Sequence, residues 1–203
     1  FQDIFNLQFV NDSTGFFLAR NYEGEILFCQ TTDTLKTWTI QSKATLQTNR
    51  FYALSMDSIF AVITDFVTIN SYSSLKLSVD SGKNWEDILP MGNWMANELI
   101  FNNDIGFVSG MLGFGMIGEW GMGNILLRST DRGQNWDTSI LSYPFSEVHF
   151  LDKNKGFAAG GSSNFHSISG DVYTTSDGGE NWSLNFNPGS LVKSCQFIND
   201  NIG

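Results

Sequence analysis

Four segments of the chain place a carboxylate in a turn-like run with a Trp five residues later: TTDTLKTW (31–38), SVDSGKNW (78–85), STDRGQNW (129–136) and TSDGGENW (175–182). Repeated Asp residues of this kind, here Asp33, Asp80, Asp131 and Asp177, could act as general acids or bases or could ligate a hard cation. Turn chemistry explains all four at once. An Asp side chain accepts hydrogen bonds from backbone N–H groups a few residues further on and so closes a hairpin turn. Gly82, Gly133 and Gly179 permit the positive φ that reverses the chain, and Leu35 stands where the first turn would need the same freedom. Trp38, Trp85, Trp136 and Trp182 are expected to fold back over their turns, each indole burying on the order of 150–250 Å². A residue that recurs once per repeat and answers a local turn requirement is read as structural. No catalytic residue, metal ligand or cofactor is therefore assigned to these turns.

The remaining candidates for chemistry are sparse. Cys29 and Cys195 are too far apart to read as a disulfide framework and lack the His and Cys neighbours of a zinc site, so two unpaired thiols are expected. DKNKG (152–156) has the Asp-x-Asn-x-Gly opening of a calcium loop but not its length or closing Glu, and is read as a turn. His149 falls in a strand-like segment, and His166 in a loop. With 21 acidic against 11 basic side chains the net charge is -10, which disfavours nucleic acid as a partner. No apolar run approaches the roughly 20 residues of a membrane-spanning helix. Few Lys and Arg beside abundant Asn, Ser, Thr and Gly lean towards a bacterial protein exported to the periplasm, the cell surface or the medium.

The elements that must position these turns follow from the repeat. The four Trp residues stand at 38, 85, 136 and 182, giving intervals of 47, 51 and 46, the period of a four-stranded propeller blade. A second motif recurs in phase: FVNDSTGFF (9–17), FNNDIGFVSG (101–110) and FLDKNKGFAAG (150–160), decayed to YALSMDSIFAV (52–62) and starting again as FINDNIG (197–203). The fourth repeat divides into SEVHFLD, GFAAGG, DVYTTS and WSLNF as strands one to four, with Val148 and Phe150 alternating against polar neighbours. No window has helical periodicity. The expectation is an all-β chain, a β-propeller of four-stranded antiparallel blades with four blades and the start of a fifth. The whole of 1–203 is read as one propeller domain or fragment, with blades at about 1–43, 44–92, 93–141 and 142–190 and the next beginning at 191–203. Because position 1 is Phe and the fifth motif opens at the end, the chain is expected to belong to a longer protein.

With the Phe-x-(Asn/Asp)-x-x-x-Gly-Phe motif ahead of each turn, the sequence resembles the Asp-box, or bacterial neuraminidase repeat, propellers. Within that group it is most similar to the photosystem II assembly and stability factor-like propellers and their secreted relatives. The resemblance covers essentially the whole chain and implies the propeller fold, which hosts many unrelated functions. Sialidases of the group would also carry an Arg triad, a Phe-Arg-Ile-Pro-like segment and a Tyr with a Glu base. Arg20, Arg50, Arg128 and Arg132 stand in no such segment, and Arg132 lies within a turn. Xyloglucanase-like members need two catalytic Asp residues across a cleft, and no such pair can be nominated.

The expectation is a non-catalytic binding or scaffold propeller making protein or glycan contacts. The alternatives are a glycoside hydrolase-type propeller with its catalytic residues outside this segment, and a photosystem assembly factor-like chaperone. The resemblance also implies that loops between strands two and three open on the binding face, here 21–25, 65–74, 111–123 and 162–170. MLGFGMIGEWGMG (111–123) is rich in Met and aromatics among glycines, as adaptable binding surfaces are. It is read either as a partner-binding loop carrying Phe114, Met116 and Trp120 or as a plug, with Phe165 and His166 beside it if the blades are adjacent.

Overall fold

The computed structural model describes every residue except 45–46, 68–69, 113–123, 142–144, 164–167, 191, 193–194, 196 and 198–203. Four antiparallel sheets of four strands are formed, each a simple meander. The first comprises β1 (Asp3–Phe9), β2 (Gly15–Arg20), β3 (Ile26–Thr31) and β4 (Thr39–Ala44). The second comprises β5 (Gln47–Ser55), β6 (Ser58–Val67), β7 (Asn70–Ser78) and β8 (Glu86–Gly92). The third comprises β9 (Trp94–Asn102), β10 (Ile105–Leu112), β11 (Asn124–Ser129) and β12 (Asp137–Leu141). The fourth comprises β13 (Phe145–Phe150), β14 (Gly156–Ser163), β15 (Ile168–Thr175) and β16 (Ser183–Phe186). The fold is the expected β-propeller of four-stranded blades, and no helix occurs among the described residues.

The burial gradient explains the strand sequences. Second strands such as GFFLAR and IGFVSG are apolar almost without alternation because they are covered on both faces, whereas outer strands such as DTSIL and SLNF lie exposed.

The chain packs as two compact units, Phe1–Asn93 and Trp94–Gly203. In the first, Phe16, Leu18 and Phe28 of one blade meet Phe51, Ala53, Ile59 and Ala61 of the next. Gln8 stitches their inner strands: its Nε2 donates to the Ala53 carbonyl at 3.0 Å and its Oε1 accepts from the Ala53 N–H at 2.9 Å. In the second unit, Phe107 and Leu126 meet Phe145, Val148, Ala158 and Tyr173. Asn97 donates there to the Phe145 carbonyl at 3.2 Å, and Asn102 to that of Asp152 at 2.6 Å. Phe150 stacks on Phe107 with centroids 4.8 Å apart, and Phe197, which opens the fifth repeat, stacks likewise on Phe157 at 3.6 Å. Residues 198–203 of that repeat lie outside the described residues.

The turns between third and fourth strands share one hydrogen-bond set. In the second blade Ser78 Oγ donates to Asp80 Oδ1 at 2.8 Å and accepts from the Gly82 N–H at 2.8 Å. Asn84 gives its backbone N–H to Asp80 Oδ1 at 2.9 Å and its side-chain amide to Oδ2 at 2.7 Å. Trp85 Nε1 closes the set on the Gly82 carbonyl at 3.1 Å. Ser129, Asp131, Gly133, Asn135 and Trp136 repeat it, as do Thr175, Asp177, Gly179, Asn181 and Trp182. Both central residues take positive φ, with Ser81 at 63° and Gly82 at 85°. At Gly82 space is a second constraint: a Cβ would lie 2.2 Å from the Phe28 ring of the preceding blade, and at Gly179 one would lie 2.6 Å from Phe107.

Two expectations are corrected. The turn Trp residues are not largely buried: Trp85, Trp136 and Trp182 are half-buried, and Trp38 is 51% exposed. Their Nε1 bonds hold the indoles over the turn surface, and Trp38, lacking a glycine partner, leans on Phe1 with centroids 5.6 Å apart. Among the described residues of 65–74 and 162–170, read as open loops, strand pairing continues out to Val67↔Asn70 and Ser163↔Ile168. No Gly or Pro interrupts DFVTINSYSS, whose β-branched and aromatic residues favour pairing.

Leu35 keeps the first turn's bonds, with its N–H on Thr31 Oγ1 at 2.9 Å, but at a φ of 66°. Left-handed backbone costs a side chain about 1–2 kcal/mol, part of which a glycine returns through greater unfolded-state freedom. Leu35→Gly should therefore stabilise the protein by about 0.5–1 kcal/mol, raising its melting temperature by a few degrees. Gly82→Ala should lower it by about 1–3 kcal/mol through the Phe28 clash, and an alanine variant as stable as the parent would contradict the packing account.

Backbone and side-chain bonds from Asn84, Asn135 and Asn181 hold the carboxyls of Asp80, Asp131 and Asp177 down to about 2, and bonds from Thr37 lower that of Asp33. An unfolded Asp titrates near 3.9, so the ionised turns contribute their full stability above about pH 4 and lose it as pH falls through about 2. Denaturation followed between pH 5 and 2 should show stability falling in that window, and falling less steeply in a variant combining Asp80→Asn, Asp131→Asn and Asp177→Asn.

Candidate functional site: a cleft between two blades

The residues expected to bind a partner, Phe114, Met116, Trp120, Phe165 and His166, lie outside the described residues. Of the 111–123 segment, Met111 and Leu112 are described. They extend β10, where Met111 pairs with Met95 and Asn124 and Leu112 pairs with Trp94. His149, expected in a strand, sits on β13 with Nε2 3.0 Å from the Phe197 carbonyl oxygen.

Several titratable groups elsewhere are engaged by neighbouring residues. Asp152 accepts the N–H groups of Asn154 at 2.7 Å and Lys155 at 2.8 Å, closing the DKNKG turn. Asp171 accepts from Tyr173 at 3.2 Å and Asn187 at 2.9 Å. Cys29 and Cys195 are unpaired, and burial pushes both thiols up to about 11. Neither is an activated nucleophile. No group of three or more His, Cys, Asp or Glu residues suited to a metal ion occurs among the described residues.

Two concavities stand out among the described residues. One, of about 360 Å³, lies on the fourth blade beside Phe157, Thr174, Asp177 and Asn185. Its carboxylate is already engaged by Thr175 and Asn181.

The other lies between the first and second blades, encloses about 260 Å³, and brings together unlike side chains. Its floor is apolar: Leu18 and Phe28 from one blade, Ala61 and Ile63 from the other. The half-buried Trp85 forms a wall, edge-on to Phe28 with centroids 5.3 Å apart. Its Nε1 reaches Ser42 Oγ at 3.2 Å, and that hydroxyl donates to the Gly82 carbonyl at 2.6 Å, so one serine ties the wall to the neighbouring blade. Lys43, Lys76 and Lys83 line the same cleft, with Asn84 beside them. Lys43 pairs with Glu25 at 2.8 Å, and the bond between them lowers the carboxyl and raises the ammonium. Lys76 pairs with Asp87 at 2.7 Å. Lys83 makes no ion pair among the described residues and is exposed. The sequence reading missed this cluster because its members come from β4, β7 and the β7–β8 turn, 40 residues apart from first to last.

No family profile matches the chain, and no curated protein matches it in sequence. Solved structures do share its fold. The α-L-arabinofuranosidase of Fusarium graminearum, solved with arabinobiose, superposes with a TM-score of 0.53 at 14% identity, over 90% of this chain and 64% of that one. The xyloglucanase of Xanthomonas campestris gives 0.46 at 11% identity, over 87% of this chain and 37% of that one. YCF48 bound to D1 peptide gives 0.28 at 12% identity, over 90% and 82%. The chain thus spans less than two thirds of either glycosidase. At these identities the likeness concerns fold alone, and it is the arabinofuranosidase superposition that supports the β-propeller assignment.

Proposed function

We propose that this chain is part of a non-catalytic binding propeller of the Asp-box type, exposed outside the cell or in its envelope, that makes glycan or protein contacts. The use made of its carboxylates carries this reading. Asp80, Asp131 and Asp177 give both oxygens to their own turns, and their carboxyls, like those of Glu25, Asp33 and Asp152, are displaced downward. A general acid has the opposite need, to keep its proton near neutral pH. The shared Ser/Thr, Asp, Gly, Asn and Trp bonds support the Asp-box reading, and the low Lys and Arg content supports an exported protein.

Incubation with fluorogenic sialosides, arabinofuranosides and β-glucans is expected to give no turnover. Turnover abolished by replacing one acidic residue outside the turns would overturn the reading in favour of a glycoside hydrolase. The composition of 111–123 supports a partner contact there. Phe114→Ser with Trp120→Ser should then leave the melting temperature unchanged and weaken partner capture tens-fold, since interface aromatics can each contribute about 2 kcal/mol. A large drop in melting temperature with binding unchanged would assign that segment to internal packing instead.

A further inference from the structure

Building on the binding reading above, we infer that the cleft between the first two blades receives one anionic sugar residue of a glycan, its carboxylate or sulfate held by Lys43, Lys76 and Lys83 and its ring laid against Trp85.

The repeats supply an internal control for what the fold alone demands at this place. Lys76 stands four residues before its turn Asp, Lys83 three after it, and Lys43 five after the Trp of the preceding turn. At the same offsets the seam between the third and fourth blades carries Tyr173, Glu180 and Leu141. There Tyr173 is buried against Phe145, with centroids 5.5 Å apart, and Leu141 packs on the same core. Blade packing is thus satisfied by apolar side chains and by an acid at these positions. Three lysines, in a chain with only 11 basic residues and a net charge of -10, are not a requirement of the seam. They leave it open, with about 260 Å³ enclosed.

The chemistry of the lining selects the ligand. An indole beside an apolar floor suits the C–H face of a pyranose, while Ser42 and Asn84 place polar groups at the rim. Glu25 takes Lys43 Nζ on both carboxylate oxygens, at 2.8 and 3.0 Å, and Asp87 takes Lys76 Nζ at 2.7 Å, while an ammonium has three donors. The ion pairs therefore orient the two ammonium groups and leave donors for a further anion, while the carboxylates offer acceptors to sugar hydroxyls. Lys83 supplies the uncompensated charge. A densely charged polymer such as nucleic acid would be repelled by the overall field, whereas an acid borne on one hydroxyl-rich ring meets only the local positive charge. Since the volume is below the roughly 300–1,000 Å³ of most small-molecule pockets, it fits one ring, with neighbouring sugars lying along the surface.

The test is isothermal titration of the purified chain with three trisaccharides of equal length: trigalacturonate, a sulfated galactotriose and neutral galactotriose. One anionic probe should bind at least tenfold more tightly than the neutral one, and whichever does so distinguishes carboxylate from sulfate. Replacing Lys83→Glu together with Lys43→Leu installs what the chain itself carries at the matching positions of its second unit. That change should lower the affinity for the anionic probe at least tenfold without moving the melting temperature. If the double variant is destabilised, Lys83→Gln, at an exposed site, should still weaken binding several-fold. Equal binding of all three probes, no binding of any, or full affinity in the folded lysine variants would overturn the inference. Glycan binding that survives in those variants would sink this cleft while upholding a binding propeller. Turnover of a probe would sink the non-catalytic reading, yet loss of its binding in the variants would still uphold the cleft.

Discussion

The packing of an aromatic ring onto a turn glycine is the contact on which the architecture depends. Phe28 sits where a Cβ of Gly82 would be, and Phe107 where one of Gly179 would be. The same two glycines also hold φ near 85° and 82°. A single residue therefore satisfies the hairpin's backbone geometry and the close approach of the preceding blade. Turn closure and blade packing are coupled in this way, and a change in one is transmitted to the other through a rigid ring rather than a flexible side chain.

Ser42 and Arg128 reinforce that coupling. Each lies on the blade that precedes a turn and donates to a turn carbonyl, Ser42 to Gly82 at 2.6 Å and Arg128 to Gly178 at 2.9 Å. The carbonyls at the apex of these turns lie outside the ladder of their own hairpin, and for Gly82 and Gly178 the neighbouring blade supplies a donor. Inside the turn, the Asp and Ser/Thr side chains accept the N–H groups that the reversal leaves unpaired. The Gly82 carbonyl is shared between the two sources, accepting from Trp85 Nε1 of its own turn and from Ser42 Oγ of the adjacent blade.

This scheme has a chemical consequence. A carboxylate that accepts two or three hydrogen bonds is stabilised in its ionised form, so the most conspicuous acids of the chain are the ones least suited to proton transfer. Variation is left to positions that the scheme does not constrain, namely the side chains bordering the seams between blades. The seam between the first and second blades carries Lys43, Lys76 and Lys83, whereas that between the third and fourth is filled by Leu141 and Tyr173. One backbone plan can thus present different surfaces without altering its turns. The first turn shows how far the plan bends: Leu35 takes positive φ and keeps its bond to Thr31, while Trp38 turns outward to Phe1.

The four-stranded sheets and the turns with their Asp and Gly residues were legible in the sequence because each depends on residues close together in the chain: a period-two strand, a turn of known offsets, a repeat of fixed length. The Asn of each Gly-x-Asn-Trp was equally visible in three repeats, although its second bond to the Asp carboxylate became clear only from the folded turn. Trp burial could not be read in the same way. It depends on where the indole N–H finds its acceptor and on what the neighbouring blade places beneath the ring. Nor could the pairing out to Val67↔Asn70 be read in advance, since the resemblance placed a loop there and backbone hydrogen bonding is indifferent to side-chain polarity. The lysine-lined cleft needed the tertiary structure most of all. Its residues are brought together by the stacking of one blade on another, and the charge that matters there is that of a local cluster, opposite in sign to the chain as a whole.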